Sequence, residues 1–410
     1  MEIRDLRARQ IFDSRGVPTL EVRAELADGS VGIGSAPSGA STGSSEAKEL
    51  RDGGEAYGGK GVGRAVDHVN GQIREALLGM DAADQMRVDE RMGELDGTQD
   101  KSKLGGNAMI ATSWAVADAA ARGAGMELFR WLGGAQARQL PCPMFNVING
   151  GRHADNNLEI QEFMFVPSGA DSFREAMRMG TECYQALKRL LHDAGLSTAV
   201  GDEGGFAPNL GRDEEALEWM VRAIESAGWK PGEDVCLALD CAAAEWAQGE
   251  GYRQPKSGAW FRRGELIEFY DALSRRFPLI SIEDPLDEED FDGFREITDA
   301  LGGDLMIVGD DLFTTSAERL FRGVALGAAN AVLVKPNQIG TVTETLETVT
   351  LARKSAYSVV VSHRSGETLS SAISDLAVAV GAEYIKAGAP CRGERLAKYN
   401  RLLEIEKMVY

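Results

Sequence analysis

Leu305-Met-Ile-Val-Gly-Asp310 is a run of apolar and small side chains closed by a carboxylate. A continuous apolar run of this length reads as a strand buried on both faces, and the ionisable residue at its end has left the core. The device recurs on either side. Val235-Cys-Leu-Ala-Leu-Asp240 and Leu279-Ile-Ser-Ile-Glu283 precede it; Ala331-Val-Leu-Val-Lys335, Val359-Val-Val-Ser-His363 and Tyr384-Ile-Lys386 follow. The charged ends stand 43, 27, 25, 28 and 23 residues apart. About 25 residues hold one strand, one helix and two loops, so these are βα units and their sheet is parallel. Two earlier candidates, Gln161-Glu-Phe-Met-Phe-Val166 and Ser197-Thr-Ala-Val-Gly-Asp202, complete eight strands. The expectation is an α/β fold, a (β/α)8 barrel of the TIM type, with the charged strand ends gathered on its catalytic rim.

The chain has 410 residues, room for a barrel and an appendage. Upstream of the barrel the pattern changes. Residues 3–36 alternate apolar and polar, as in Thr19-Leu-Glu-Val-Arg-Ala-Glu-Leu26, with Asp28-Gly29 as a turn between paired strands. Pro37-Ser-Gly-Ala-Ser-Thr-Gly43 reads as a mobile loop. From about 62 to 131 the period is helical, most clearly over Ala108–Ala121. Residues 1–133 are therefore expected to form an α+β capping domain. Gly133-Gly134 through Pro141-Cys-Pro143 marks the boundary, and 141–410 form the catalytic barrel domain.

A hydrophobic fraction of 43% is that of a globular protein. The net charge of −20 argues against nucleic acid or an anionic membrane as a main partner. Five scattered cysteines without a CxxC pair read as reduced thiols of a cytoplasmic protein. The N-terminus lacks the apolar core of a signal peptide, and no apolar stretch reaches transmembrane length. A Rossmann fold is disfavoured because no GxGxxG opens a helix after an early strand.

A single Asp at a strand end is often only the cap of the next helix. Asp240, Glu283 and Asp310, on neighbouring strands, would repel one another unless a cation neutralised them. With no histidine or cysteine beside them, an all-oxygen set points to Mg²⁺ or Mn²⁺. Lys335 and Lys386 are either ion-pair partners of these carboxylates or, with basicity lowered beside a divalent cation, proton acceptors. His363-Arg364-Ser365-Gly366-Glu367 is a donor cluster suited to phosphate or carboxylate. Gly201-Asp202-Glu203-Gly204-Gly205 sets an acid in a glycine-rich loop, either a plain turn or a general acid. His153 lies on another such loop, while His68 and His192 fall on predicted helices. Together these parts describe metal-dependent β-elimination from an anionic hydroxy acid.

The same motifs resemble the enolase family along most of the chain. The stretches are Asp13-Ser-Arg-Gly16, Pro37–Gly43, Asn149-Gly-Gly151 with His153-Ala154, Gln161-Glu-Phe-Met164 and Gly201–Gly205. Leu239-Asp-Cys241, Ser281-Ile-Glu-Asp-Pro285, Asp310-Asp311-Leu312, Lys335-Pro-Asn-Gln-Ile-Gly340, Ser362–Thr368 and Ile385-Lys386 follow in order. The resemblance implies a glycolytic hydro-lyase that converts 2-phospho-D-glycerate to phosphoenolpyruvate, with two Mg²⁺ per active site. It implies that Asp240, Glu283 and Asp310 hold the first cation and Ser41 completes the second site and contacts substrate. Lys335 would take the C2 proton, Lys386 would hold the carboxylate, and Glu203, supported by Glu162, would assist loss of the C3 hydroxyl. Arg364 and Ser365 would bind phosphate, with His153 and His363 closing over it. Family members are typically homodimers or larger homo-oligomers.

Arg152, Ala387, Gly393 and Thr315-Ser316 depart from the usual family pattern. They motivate a second expectation, an enolase-related dehydratase acting on a phosphonate-type analogue of 2-phosphoglycerate. A purely structural role predicts decay of the site, and every expected catalytic residue is present.

Overall fold

The computed structural model describes residues 1–40 and 43–410. Ser41, expected at a cation, lies outside the described residues. The chain opens with an antiparallel sheet of β1 (Ile3–Phe12), β2 (Pro18–Leu26) and β3 (Val31–Ser35), joined at the expected turn. Two longer helices follow, α1 (Gln85–Asp96) and α2 (Gly106–Gly123). Helix α2 is apolar nearly all round, and so is buried on nearly every side. It lies so close to β3 that a Cβ at Gly34 would sit 2.1 Å from the Ala111 carbonyl, so only glycine allows this packing.

The barrel closes in chain order. Its strands are β4 (Cys142–Asn149), β5 (Glu162–Val166), β6 (Cys236–Asp240), β7 (Leu279–Glu283), β8 (Met306–Gly309), β9 (Ala331–Val334), β10 (Ser358–Ser362) and β11 (Tyr384–Lys386). The outer helices include α3 (Phe173–Asp193), α4 (Asp213–Ser226) and the C-terminal α5 (Gly393–Val409). Met144, Met164, Val166, Ala238, Val308, Ala331, Leu333 and Val360 pack together as the barrel interior. Alternate residues such as Leu237, Leu239, Val332 and Val334 belong to the larger core outside it. Side chains alternate along a strand, so the parity that sends Met164, Ala238 and Leu333 inward also turns Glu162, Asp240 and Lys335 toward the axis.

Two expectations are corrected. The sheet is not wholly parallel: β5 runs antiparallel to both β4 and β6. The segment after β4 turns back at the rim, where Gly150 N–H donates to the Gln161 carbonyl and Gln161 N–H to the Asp240 carbonyl. Strand β5 therefore enters the barrel from the catalytic end, and Glu162 reaches the rim as its first residue. Ser197–Asp202 is not a barrel strand; it makes only an isolated bridge, Val200 to Phe206. It lacks a continuous apolar run, and Val200 is exposed. The strand that takes its place is β4, disguised in sequence by Pro143.

The N-terminal part docks on the rim by backbone pairing. Ser38 and Gly366 exchange both N–H···O bonds at 2.8 Å, and Ser14 N–H donates to the Glu367 carbonyl, also at 2.8 Å. Thus the glycine-rich loop is anchored beside the His363–Glu367 cluster. All five cysteines are free thiols. No described helix is long and apolar enough to cross a membrane.

Candidate active site

One narrow pocket at the rim is lined by His153, Gln161, Glu162, Glu203, Asp240, Lys335, Ser362, His363, Arg364, Ser365 and Lys386. It gathers residues from six barrel strands or their flanking loops, with Glu203 added from the segment between α3 and α4. Nearly all the ionisable groups there are buried, so each must find its counter-charge inside the protein.

The lysines supply much of it. Lys386 Nζ lies 2.9 Å from Asp240 Oδ2 and 3.0 Å from carboxylate oxygens of Glu283 and Glu162. Lys335 Nζ donates to Asp310 Oδ2, and Gln338 Nε2 donates to Asp310 Oδ1 at 2.9 Å. Burial lowers the basicity of both lysines, but the facing carboxylates outweigh it and raise them above the ordinary range. For Asp310, burial pushes the carboxyl up, yet Lys335 prevails and holds it below its usual range. Glu283, buried and next to Asp240, is pushed well up.

A second group surrounds Glu203. Its Oε2 accepts from Asn146 Nδ2 at 2.9 Å and lies 3.4 Å from His363 Nε2; its Oε1 accepts from Ser365 Oγ at 3.0 Å. His153 Nδ1 stands 3.3 Å from Glu162 Oε1 and 3.8 Å from Glu203 Oε1. Burial raises Glu203, but His153, His363 and Arg395 together hold it well below its usual value. Glu162 is pushed up by burial and by Glu203. His153 is raised because these carboxylates outweigh its burial, whereas burial pushes His363 down to about 4.

Arg364 faces a different carboxylate. Its two terminal nitrogens lie 2.9 and 3.1 Å from the oxygens of Glu46, and Nη1 also contacts Asn337 Oδ1 at 3.3 Å. Arg152 turns outward, half-exposed, and pairs with Glu245 at 2.8 Å.

With this geometry in place, the chain can be set beside known proteins. Residues 3–132 match the family model described as "Enolase, N-terminal domain", and residues 137–409 match "Enolase, C-terminal TIM barrel domain". The chain belongs to the enolase family. A curated relative, the enolase of Acidothermus cellulolyticus, is 54% identical over 403 residues, 98% of this chain and 93% of the relative.

Enolase membership implies a divalent metal, and the described residues offer two groupings. Ligand atoms of His153, Glu162 and Glu203, and of Asp284, Asp310 and Asp311, each lie within 4.8 Å of one another. Of the three carboxylates expected to act together, Asp310 belongs to the second group, while Asp240 and Glu283 are joined through Lys386. The donor set fits a hard cation: buried oxygens, with Gln161 Oε1 left without a partner among the described residues while Gln161 Nε2 donates to Asp240.

The groups of the enolase site are held by further residues that the sequence pattern does not single out. Asn146 lies inside β4, the strand that Pro143 disguises. Glu46 and Gln338 are remote in sequence from the groups they contact, and Arg395 sits on a C-terminal helix with little amphipathic pattern, whose buried face itself carries Arg395 and Lys398. Only the spacing of Asp310-Asp311 beside Asp284 carries a signal of its own.

Proposed function

We propose that this chain dehydrates 2-phospho-D-glycerate to phosphoenolpyruvate in a Mg²⁺-dependent hydro-lyase reaction, two cations per active site, with Mn²⁺ able to substitute. The observation that carries the reading is the convergence of Lys335, Glu203 and the rim carboxylates on one pocket of an enolase-family chain.

Asp240, Glu283 and Asp310 would hold the first cation, and Ser41 would contribute to the second. When bound, the cations supply positive charge that grips the substrate carboxylate and makes the adjoining C–H acidic. Lys335 takes the C2 proton. In the geometry described Asp310 holds its proton in place, so its basicity falls, and the neutral amine that can accept a proton forms, only when that carboxylate is engaged elsewhere. Lys386 holds the substrate carboxylate and stabilises charge that builds on it. Arg364 and Ser365 bind the phosphate.

The hydroxyl at C3 leaves as water, which requires a proton at Glu203. Glu203 itself is held ionised, but Glu162 and His153 beside it both retain protons more tightly than usual. The proton reaches Glu203 from this buried cluster, and Glu162 thereby acts with Glu203. His363 faces the same carboxylate and closes the pocket with His153.

The reading extends to organisation. Residues 1–133 act as a cap and 141–410 as the catalytic barrel, which the backbone pairing at Ser38 supports. The chain works in the cytoplasm as a homodimer or larger homo-oligomer. Exposed Phe12, Ile33 and Leu369 around one surface cleft support self-association. A phosphonate-type substrate is not favoured, because Arg152 is spent on Glu245 and Ala387 is buried.

The test is an ultraviolet assay of enolpyruvate formation from 2-phosphoglycerate, with and without Mg²⁺. Fast, metal-dependent turnover is expected. Its absence from folded, metal-loaded protein would overturn the reading.

A further inference from the structure

Arg395, in the first turn of α5, is completely buried, and its two terminal nitrogens donate to atoms of the rim loops. Nη1 donates to His363 Nδ1 at 2.7 Å and to the Arg364 carbonyl at 2.6 Å. Nη2 donates to the Asp202 carbonyl at 3.0 Å and to the Ser365 carbonyl at 2.5 Å. The four N–H bonds of the two terminal nitrogens are thus matched by four acceptors. Among the described residues Nε has no hydrogen-bond partner; Glu394 Oε1 stands 3.5 Å away.

An arginine side chain has donors and no acceptor. The nitrogen it meets on a histidine ring must therefore offer a lone pair. A neutral imidazole carries one proton, so the proton absent from Nδ1 sits on Nε2. That atom is buried, makes no well-aligned hydrogen bond among the described residues, and stands 3.4 Å from Glu203 Oε2 inside the pocket.

We infer that Arg395 is a positioning residue: it fixes His363 as the tautomer with its proton on Nε2, so that the ring presents an N–H donor to the pocket. The same guanidinium ties the acid loop at Asp202 to the phosphate-binding loop at Arg364 and Ser365, setting the separation of Glu203 from Ser365. Burial of His363, which pushes its pKa down to about 4, agrees with a ring that stays neutral. Lysine cannot replace this residue, because three donors on one nitrogen cannot reach four acceptors spread across two loops.

The functional consequence rests on the dehydratase reading, but the tautomer can be read without turnover. Histidine labelled with ¹⁵N in the ring is incorporated into the whole protein, and the spectrum is recorded at neutral pH. There are four histidines, and His363→Gln identifies the signal. The expected result is an unprotonated Nδ1 and a protonated Nε2. A proton on Nδ1, or on both nitrogens, would overturn the inference even if the enzyme turns over 2-phosphoglycerate. Conversely, the expected tautomer in a protein without turnover would remove the dehydratase reading alone.

Arg395→Lys supplies the second measurement. Loss of the fixed tautomer is expected, with kcat lower by roughly ten- to a hundredfold and KM moved less. Wild-type kcat with an unchanged His363 spectrum would overturn the inference. If Arg395→Lys does not fold, the wild-type spectrum still decides.

Discussion

Glu162, the first residue of β5, lies directly opposite Asp240, the last residue of β6. Two inward carboxylates are thereby set side by side in the barrel mouth, and Lys386 lies within 3.0 Å of both as well as of Glu283. One ammonium cannot neutralise three buried carboxylates, which is why Glu162 and Glu283 are pushed up toward their neutral forms; a divalent cation would favour their ionised forms instead.

Lys386→Met follows from this relationship. Removing one partner of a buried ionic group costs about 3–5 kcal/mol, because the other charges are left without compensation. The variant is expected to melt several degrees below wild type without metal, and to regain more of its melting temperature on adding Mg²⁺ than wild type does. Thermal melts with and without Mg²⁺ test this. Equal melting temperatures in the metal-free proteins would show that Lys386 does not balance the carboxylates.

Lys335 and Glu203 divide the two proton transfers, and each variant has its own signature. Lys335→Ala should abolish exchange of the C2 proton with solvent, lowering it by at least about 10²-fold. Glu203→Gln should slow elimination more than exchange. Hydrogen–deuterium exchange at C2, followed together with product formation, separates them. Retained exchange in Lys335→Ala would remove that residue as the base; equal losses in Glu203→Gln would count against its acid role.

The barrel is legible in the sequence because its strands are buried on both faces and end in charge, whereas half-exposed strands alternate and helices repeat every three to four residues. The direction of β5 is not. An apolar run carries no arrow, although the acid at its front rather than its back, Glu162, marks the reversal once the fold is known. Strand β4 is hidden by Pro143, and Ser197–Asp202 passes for a strand because its acid-ended pattern mimics the others. In the site, Asp240, Glu283 and Asp310 can be read from the charge that closes each continuous apolar run. Arg395 and Glu46 cannot, since each acts on groups more than thirty or three hundred residues away, respectively, that only the closed fold brings near.

Arg152 departs from the family pattern one residue before a site histidine, yet it faces Glu245 on the surface. A half-exposed ion pair of this kind contributes about 0–1 kcal/mol. Arg152→Ser is therefore expected to change kcat/KM for 2-phosphoglycerate by less than about fivefold, with stability nearly unchanged. Steady-state kinetics decide it. A larger fall, specific to KM, would mean that Arg152 turns inward to meet the substrate.

Asp213 opens α4 and accepts N–H bonds from Glu159 at 2.9 Å and Ile160 at 3.3 Å. These bonds favour its charged form, but burial outweighs them and, with Glu159 and Glu214 nearby, pushes its pKa up to about 7. The unfolded chain has the ordinary value of 3.8. Between these two values the folded state binds the proton and the unfolded state does not. Raising the pH through this window therefore removes stability: the contribution is fully present below about 4 and lost by about 7. From pH 5 upward the loss amounts to at most about 3 kcal/mol. Asp213→Asn keeps the acceptor oxygen and removes the titration. Urea midpoints at pH 5 and pH 8 should fall further for wild type than for Asp213→Asn, and parallel changes in the two proteins would show that Asp213 is already ionised at pH 5.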